Sequence, residues 1–372
     1  MPRSHALPAL LPWTLALAAS CSGCHEVPEV AYETEHFEIA PDFEHPVCAG
    51  TLSYLEDHLA FVEESLSISV PHGERIRFYW ITGDLDSWCS SRAIGCYYPG
   101  TRVIVGGGDS VTHEIVHAVL NAQAQTNLFL EEALAEHFSG VGSPRPGGGD
   151  ELLAPSDLLW ISSNDYRFGD LDYAVAQHFM AFILEQHGPG SIRGVSEVVI
   201  DGAGPAELER ALERFTEQDY DDLEAAYMTD SRTYYPGLRE RALERADTGQ
   251  WLDVSLRCDE ETTMGPLWEA QPGMYRTMRI NLGKTQPVYV EFLADEGVEL
   301  QLIDTRAERL AGKIVDFHHP STTGEVEHPS LRGGESGTFQ LRGGSHVLVV
   351  SRNDYQYSDA FVRVVPHEFP RE

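Results

Sequence analysis

Val111-Thr112-His113-Glu114-Ile115-Val116-His117-Ala118-Val119-Leu120, followed closely by Phe129-Leu130-Glu131-Glu132-Ala133-Leu134-Ala135-Glu136-His137-Phe138, is the stretch on which the reading of this 372-residue chain turns. Residues four apart on a helix project from one face, so the imidazoles of His113 and His117 can reach a single metal ion. Glu114 beside them can hold a water that the metal activates. Asp109 or Ser110 is placed to cap a helix that begins near Val111. Ile115, Val116, Val119 and Leu120 surround the polar triplet, so the helix is expected to be buried nearly all round. Two imidazoles and a carboxyl in such a place are costly to desolvate unless they coordinate or hydrogen-bond something.

A catalytic zinc ion takes three protein ligands and keeps a fourth position for water, so a third ligand is required. Between His117 and Glu132 lie the end of the first helix, a polar turn from Asn121 to Asn127, and the start of a second helix with Leu130, Leu134 and Phe138 on its apolar side. The two helices are expected to form a hairpin. Glu132 and Glu136 share a face one turn apart and compete for the ligand position, whereas Glu131 points elsewhere and reads as a solvated residue.

The segment from Leu130 to Glu136 resembles the Trp-Leu-x-Glu-Gly-x-Ala-Glu segment of gluzincin metallopeptidases, with Ala133 in place of the usual Gly. The resemblance implies that Glu132 is the third ligand of Zn2+, beside His113 and His117, and that Glu136 hydrogen-bonds a ligand histidine. Downstream, the apolar helix from Asp172 to Leu184 is similar to the gluzincin helix whose leading tyrosine donates to the oxyanion, a role that would fall to Tyr173. A phenol of pKa about 10 stays protonated at neutral pH and can donate. His178 and Tyr166 are the alternative donors. The activity implied is hydrolysis of peptide bonds in a peptide or protein substrate, with Glu114 as the base. The Gly-x-Met-Glu-Asn segment of the related aminopeptidases is absent, which points to endopeptidase action. The alternative function is that of a non-catalytic zincin-like lipoprotein with a binding or adhesion role.

Upstream of the metal helix, Thr101 to Val105 is a β-branched run bounded by Pro99-Gly100 and Gly106-Gly107-Gly108, and reads as a strand. It is either an edge strand of the zincin kind, which pairs with extended substrate, or an ordinary structural strand. The glycine-rich turn lacks the Lys-Ser/Thr of a phosphate loop, so nucleotide binding is discounted.

The chain begins Met1-Pro2-Arg3-Ser4-His5, with an apolar run from about Ala6 to Ala19 and then Ser20-Cys21. This reads as a secretory signal over residues 1–20. Ala18-Ala19-Ser20-Cys21 resembles a bacterial lipobox, which implies a lipid anchor at Cys21, with Cys24 as a second candidate. The expected location is the outer membrane or cell surface, the alternative being a periplasmic or secreted protein after cleavage near Ala19. Of six cysteines, Cys48, Cys89, Cys96 and Cys258 remain beyond the leader, an even number that suggests two disulfides in an exported chain. Cys89 with Cys96 is the favoured pair, leaving Cys48 and Cys258 paired or free. With 59 Asp and Glu against 26 Lys and Arg, the net charge of -33 argues against nucleic acid as a partner.

The expected architecture is an α+β zincin-like metallopeptidase domain over 35–248, after a linker over 21–34, followed by an all-β sandwich domain over 249–372. Strands are expected near Glu35–Ile39 and Arg75–Ile81. Helices are expected from Cys48 to about Ser67, from Tyr173 to His187, from Pro205 to Phe215 and from Asp221 to Met228. From Trp251 the pattern becomes short alternating runs separated by turns, which reads as seven or eight strands and is similar in outline to pre-peptidase C-terminal domains. His318, His319 and His328 read as solvated loop residues.

Overall fold

The computed structural model describes residues 27–366 except 90–92, 109, 123–124, 140–142, 146–152, 161–170, 233, 236–242, 268–269 and 305–327. The leader with Cys21, the Asp109 cap, Tyr166 and the His318-His319 pair lie outside the described residues.

A five-stranded sheet comes first. It comprises β1 (Tyr32–Glu33), β2 (Phe37–Pro41), β3 (Ile76–Trp80), β4 (Gly95–Tyr98) and β5 (Val103–Gly106), in the order β1-β2-β3-β5-β4. β2, β3 and β5 run parallel, whereas β1 and β4 pair antiparallel at the two edges. The parallel connection between β2 and β3 is made by α1 (Ala49–Leu66), which buries Leu55, Leu59, Val62 and Leu66 at helical spacing. Ser67 ends α1 in the left-handed region at φ 52°.

The run expected as a candidate edge strand is β5, and it is interior, hydrogen-bonded to β3 on one side and β4 on the other. The edge on that side of the sheet belongs to β4. Gly95-Cys96-Tyr97-Tyr98 has no β-branched residue and no apolar alternation, and beyond its two tyrosines little local marked it as a strand; its pairing with β5 defines it.

Beyond the sheet, α2 (Val111–Leu120) and α3 (Leu128–Phe138) form the expected hairpin, and α4 (Tyr173–His187) packs along α3. Three further helices, α5 (Pro189–Val198), α6 (Pro205–Thr216) and α7 (Tyr220–Thr229), complete this layer, with a small antiparallel pair of β6 (Ser143–Pro144) and β7 (Tyr234–Tyr235). α5 begins on Pro189 one residue after α4 ends, and its Ile192 and Val195 are fully buried.

The remaining strands are β8 (Trp251–Leu256), β9 (Met274–Leu282), β10 (Gln286–Ala294), β11 (Val298–Ile303), β12 (Ser330–Arg332), β13 (Ser336–Leu341), β14 (Gly344–Arg352) and β15 (Ser358–Pro366). They form two antiparallel four-stranded sheets, β13-β10-β15-β8 and β12-β11-β14-β9. Period-two alternation buries Val288, Val290 and Phe292 of β10 between them.

These β strands are joined tightly to the first half. A disulfide links Cys48 to Cys258 across 210 residues. The first N–H groups of α1, which have no partner within a helix, are satisfied from the other side: Cys48, Ala49 and Gly50 donate to the carbonyls of Gly265, Cys258 and Thr263 at 2.8–3.0 Å. The Thr51 hydroxyl donates to the Gly265 carbonyl at 2.9 Å. A Cβ on Gly50 would collide with the Thr263 carbonyl, so only glycine permits this approach. A second disulfide joins Cys89 to Cys96. Two disulfides mark an oxidising, exported environment. No described helix is long and apolar enough to cross a membrane.

Candidate metal centre

α2 is buried on nearly every side, with Ile115, Val116 and Val119 fully covered. Ser110 occupies its N-cap position, but the hydroxyl donates to the Gly107 carbonyl at 3.2 Å and makes no cap bond to the helix. From α1, the fully buried His58 places Nε2 3.0 Å from the Thr112 carbonyl, beside His113. The start of α3 is fixed by Asn127, whose side chain accepts from Phe129 N–H at 2.9 Å and donates to the Ala203 carbonyl at 3.1 Å.

His113, His117 and Glu132 converge, offering ligand atoms within 4.8 Å of one another. The two Nε2 atoms are 3.1 Å apart. Glu132 places one oxygen 3.3 Å from Nε2 of His113 and the other 3.7 Å from Nε2 of His117. Donors about 2.0–2.1 Å from a tetrahedral ion lie about 3.3 Å from one another, so this set has the dimensions of a three-ligand metal site.

Each imidazole is held from behind. Nδ1 of His113 is 3.3 Å from Glu136, and Nδ1 of His117 is 3.4 Å from Glu131. A carboxylate only accepts, so with an ion bound at Nε2 each Nδ1 would carry the proton and direct its ring's Nε2 lone pair at the ion. Two imidazoles and a carboxylate face one point, an arrangement that positive charge, from a proton or a metal cation, stabilises.

The titration shifts point the same way. Burial by itself would push His113 down, but the carboxylates of Glu132 and Glu136 override it and raise its pKa well above the ordinary histidine value. His117 is raised, burial being outweighed by Glu132 and Glu131. Glu132 is lowered, because His117 and His113 outweigh the effect of its burial. Glu114 goes the other way: burial raises it, and the two histidines only partly offset this.

Glu131 departs from the sequence expectation. It is 6% exposed and not solvated. One oxygen accepts from the Thr126 backbone N–H at 2.7 Å while the other faces His117. The residue lies in the first turn of α3, where a carboxylate favours the helix terminus, and the hairpin folds that turn over His117. Glu136 faces Nδ1 of His113, and Glu132 is the carboxylate that faces both Nε2 atoms.

Tyr173 opens α4 behind an Asp172 cap that accepts from Val175 N–H at 3.1 Å. One turn later, Gln177 donates to the Glu136 carbonyl at 2.8 Å, so Tyr173 shares the face of α4 that follows the C-terminal half of α3. His178, an alternative donor, points elsewhere. It is fully buried, with Nδ1 3.3 Å from the Tyr227 hydroxyl and its ring edge-on to Tyr235 at 4.9 Å. Its contacts are with α7 and β7.

Sequence reasoning missed β4. Gly95 and Tyr97 share the sheet face toward the helices: a Cβ on Gly95 would lie 2.9 Å from Oε1 of Glu114, and the Tyr97 phenol is pushed up to about 12 by burial and the Glu131 charge. The local signals were the strand-favouring tyrosines and Gly95, a glycine where the backbone must approach closely.

The sequence matches no family model and no curated protein. Among solved structures the chain is similar to the pre-peptidase C-terminal domain of collagenase from Bacillus anthracis, at 12% identity over 32% of this chain and 92% of that one, with a TM-score of 0.23. It is also similar to aminopeptidase A from Legionella pneumophila, at 9% identity over 90% of this chain and 37% of that one, with a TM-score of 0.35. At such scores neither likeness bears on function, and the site geometry stands without them.

Proposed function

We propose that this protein is a zinc-dependent peptidase of gluzincin type, acting as an endopeptidase on peptide or protein substrates. The observation that carries the reading is the convergence of both Nε2 atoms and Glu132 on one point while Glu136 and Glu131 hold the two Nδ1 atoms. Two imidazoles and one carboxylate are the donor set of hydrolytic zinc sites. A zinc ion bound there supplies an activated water and polarises the carbonyl under attack. Glu114, one residue from His113 and adjacent to the same point, takes up a proton during attack and returns it to the leaving amine. Tyr173 donates to the developing oxyanion. In this reading residues 35–248 form the catalytic domain and 249–372 a sandwich domain, and an exported chain is held at the membrane by a lipid on Cys21.

Glu114→Gln tests the proposal, because it keeps the shape and removes the base. Zinc stoichiometry by elemental analysis should be unchanged while cleavage of a peptide library falls roughly 10²–10⁴-fold. Full cleavage in this variant, or a wild-type protein that neither copurifies with nor rebinds zinc, refutes the assignment.

A further inference from the structure

We propose that Gly95 is a positioning residue for Glu114: its missing side chain is the space in which the Glu114 carboxyl is held toward the His113-His117-Glu132 point. This rests on the peptidase reading for its kinetic consequence, while the placement of the carboxyl can be read without it.

Five observations support the assignment. Gly95 and Gly106 are directly opposed across β4 and β5, which leaves a bare patch on the sheet face toward α2. The first turn of α2 sinks into that patch: a Cβ on Gly95 would lie 2.7 Å from Oγ and 3.0 Å from Cβ of Ser110, and a Cβ on Gly106 would collide with the same Oγ. Glu114, four residues on and on the same helix face, brings Oε1 to 2.9 Å from that Gly95 position.

Among the described residues, moreover, no hydrogen bond fixes the Glu114 carboxyl, although it is 5% exposed. Contact with Gly95 bounds the carboxyl on one side, and β4 is that wall. Finally, β4 is restrained from retreating. The neighbouring residue Cys96, whose side chain leaves the opposite face of the strand, is tied to Cys89, and the antiparallel ladder to β5 holds the other edge. An added methyl group would displace the carboxylate in preference to the strand.

The experiment uses the full chain and compares Gly95→Ala, Ser110→Ala, Gly95→Ala/Ser110→Ala and Glu114→Gln. Zn2+ affinity is measured by competition with a chromophoric chelator, and turnover with a fluorogenic peptide taken from the library above. The pH midpoint of the visible spectrum is followed after substitution with Co2+. In Gly95→Ala, kcat should fall about 10–100-fold with KM within about twofold, as expected for a reacting group misplaced by about 1 Å. Zn2+ affinity should stay within about threefold, and the Co2+ midpoint should move in the same direction as in Glu114→Gln by roughly one pH unit.

If Gly95→Ala folds poorly, removing the Ser110 hydroxyl relieves the part of the crowding that does not involve Glu114. The double variant should then regain Zn2+ binding and keep both the low kcat and the displaced midpoint. Ser110→Ala should match the wild type in all three measurements. A Gly95→Ala protein with wild-type kcat and midpoint overturns the proposal, as does loss of Zn2+ binding in both the single and double variants, which would make Gly95 a packing residue only. If the wild type cleaves no peptide, the peptidase reading fails and the Co2+ midpoint still decides the role of Gly95.

Discussion

Two histidine environments in the helical layer, that of His113 with His117 and that of His178, have opposite electrostatic character. His113 and His117 are ringed by Glu131, Glu132 and Glu136, and both are raised above the ordinary histidine value. His178 is buried at least as deeply, among Tyr227 and Tyr235, and burial with the nearby Arg145 charge pushes it down to about 4. Burial drives every one of these rings toward neutrality, so the neighbours decide the outcome. The first set is built to hold positive charge, and the second to exclude it.

The largest expected effect comes from breaking the first set. Glu132→Ala should weaken Zn2+ binding by roughly 10³-fold or more, since loss of a direct ligand exceeds the 10–100-fold typical of an outer partner. His178→Ala should leave Zn2+ affinity unchanged. Chelator competition on both variants reads the contrast, and equal affinities would abolish it.

Next comes the pH response of the second set. The folded-state value of about 4 for His178 lies below the 6.5 of an unperturbed histidine, so between those values the unfolded chain binds more protons. Its contribution to stability is full above about pH 6.5 and is lost as pH falls toward 4, to a total of about 3 kcal/mol. His178→Gln should start less stable at pH 7 and lose correspondingly less on acidification. Urea unfolding at pH 7 and 4.5 measures this, and parallel losses in the two proteins would show that His178 is not the group responsible.

The smallest effect sharpens the comparison within the metal set. Glu131→Gln keeps an acceptor for the Thr126 N–H but removes the charge beside His117, and should weaken Zn2+ binding about 10–100-fold, as should Glu136→Gln beside His113. Unaltered affinity in Glu131→Gln would reduce that residue to a helix cap.

Much of the site was legible from local spacing. The pair His113 and His117 shares a helix face whatever surrounds it, and Leu130, Leu134 and Phe138 announced a second helix with Glu132 and Glu136 one turn apart. The helix limits around residues 49–66, 111–120 and 173–187 follow from apolar periodicity and from caps such as Asp172. Less legible were β4 and Glu131. β4 has no pattern of its own and exists because β5 offers it a ladder. Glu131 was assigned to solvent from its position on an isolated helix, and is buried because the hairpin closes over it.

By itself, then, the sequence determined which chemical groups share a face and at what intervals, because helical periodicity is a property of consecutive residues. Only the tertiary structure decided that β5 is interior, that Glu131 supports His117, that His178 belongs to a tyrosine cluster and that Gly95 lies against Glu114. Each of those depends on groups brought together from distant parts of the chain, where burial and neighbouring charge, and not spacing, set what a side chain does.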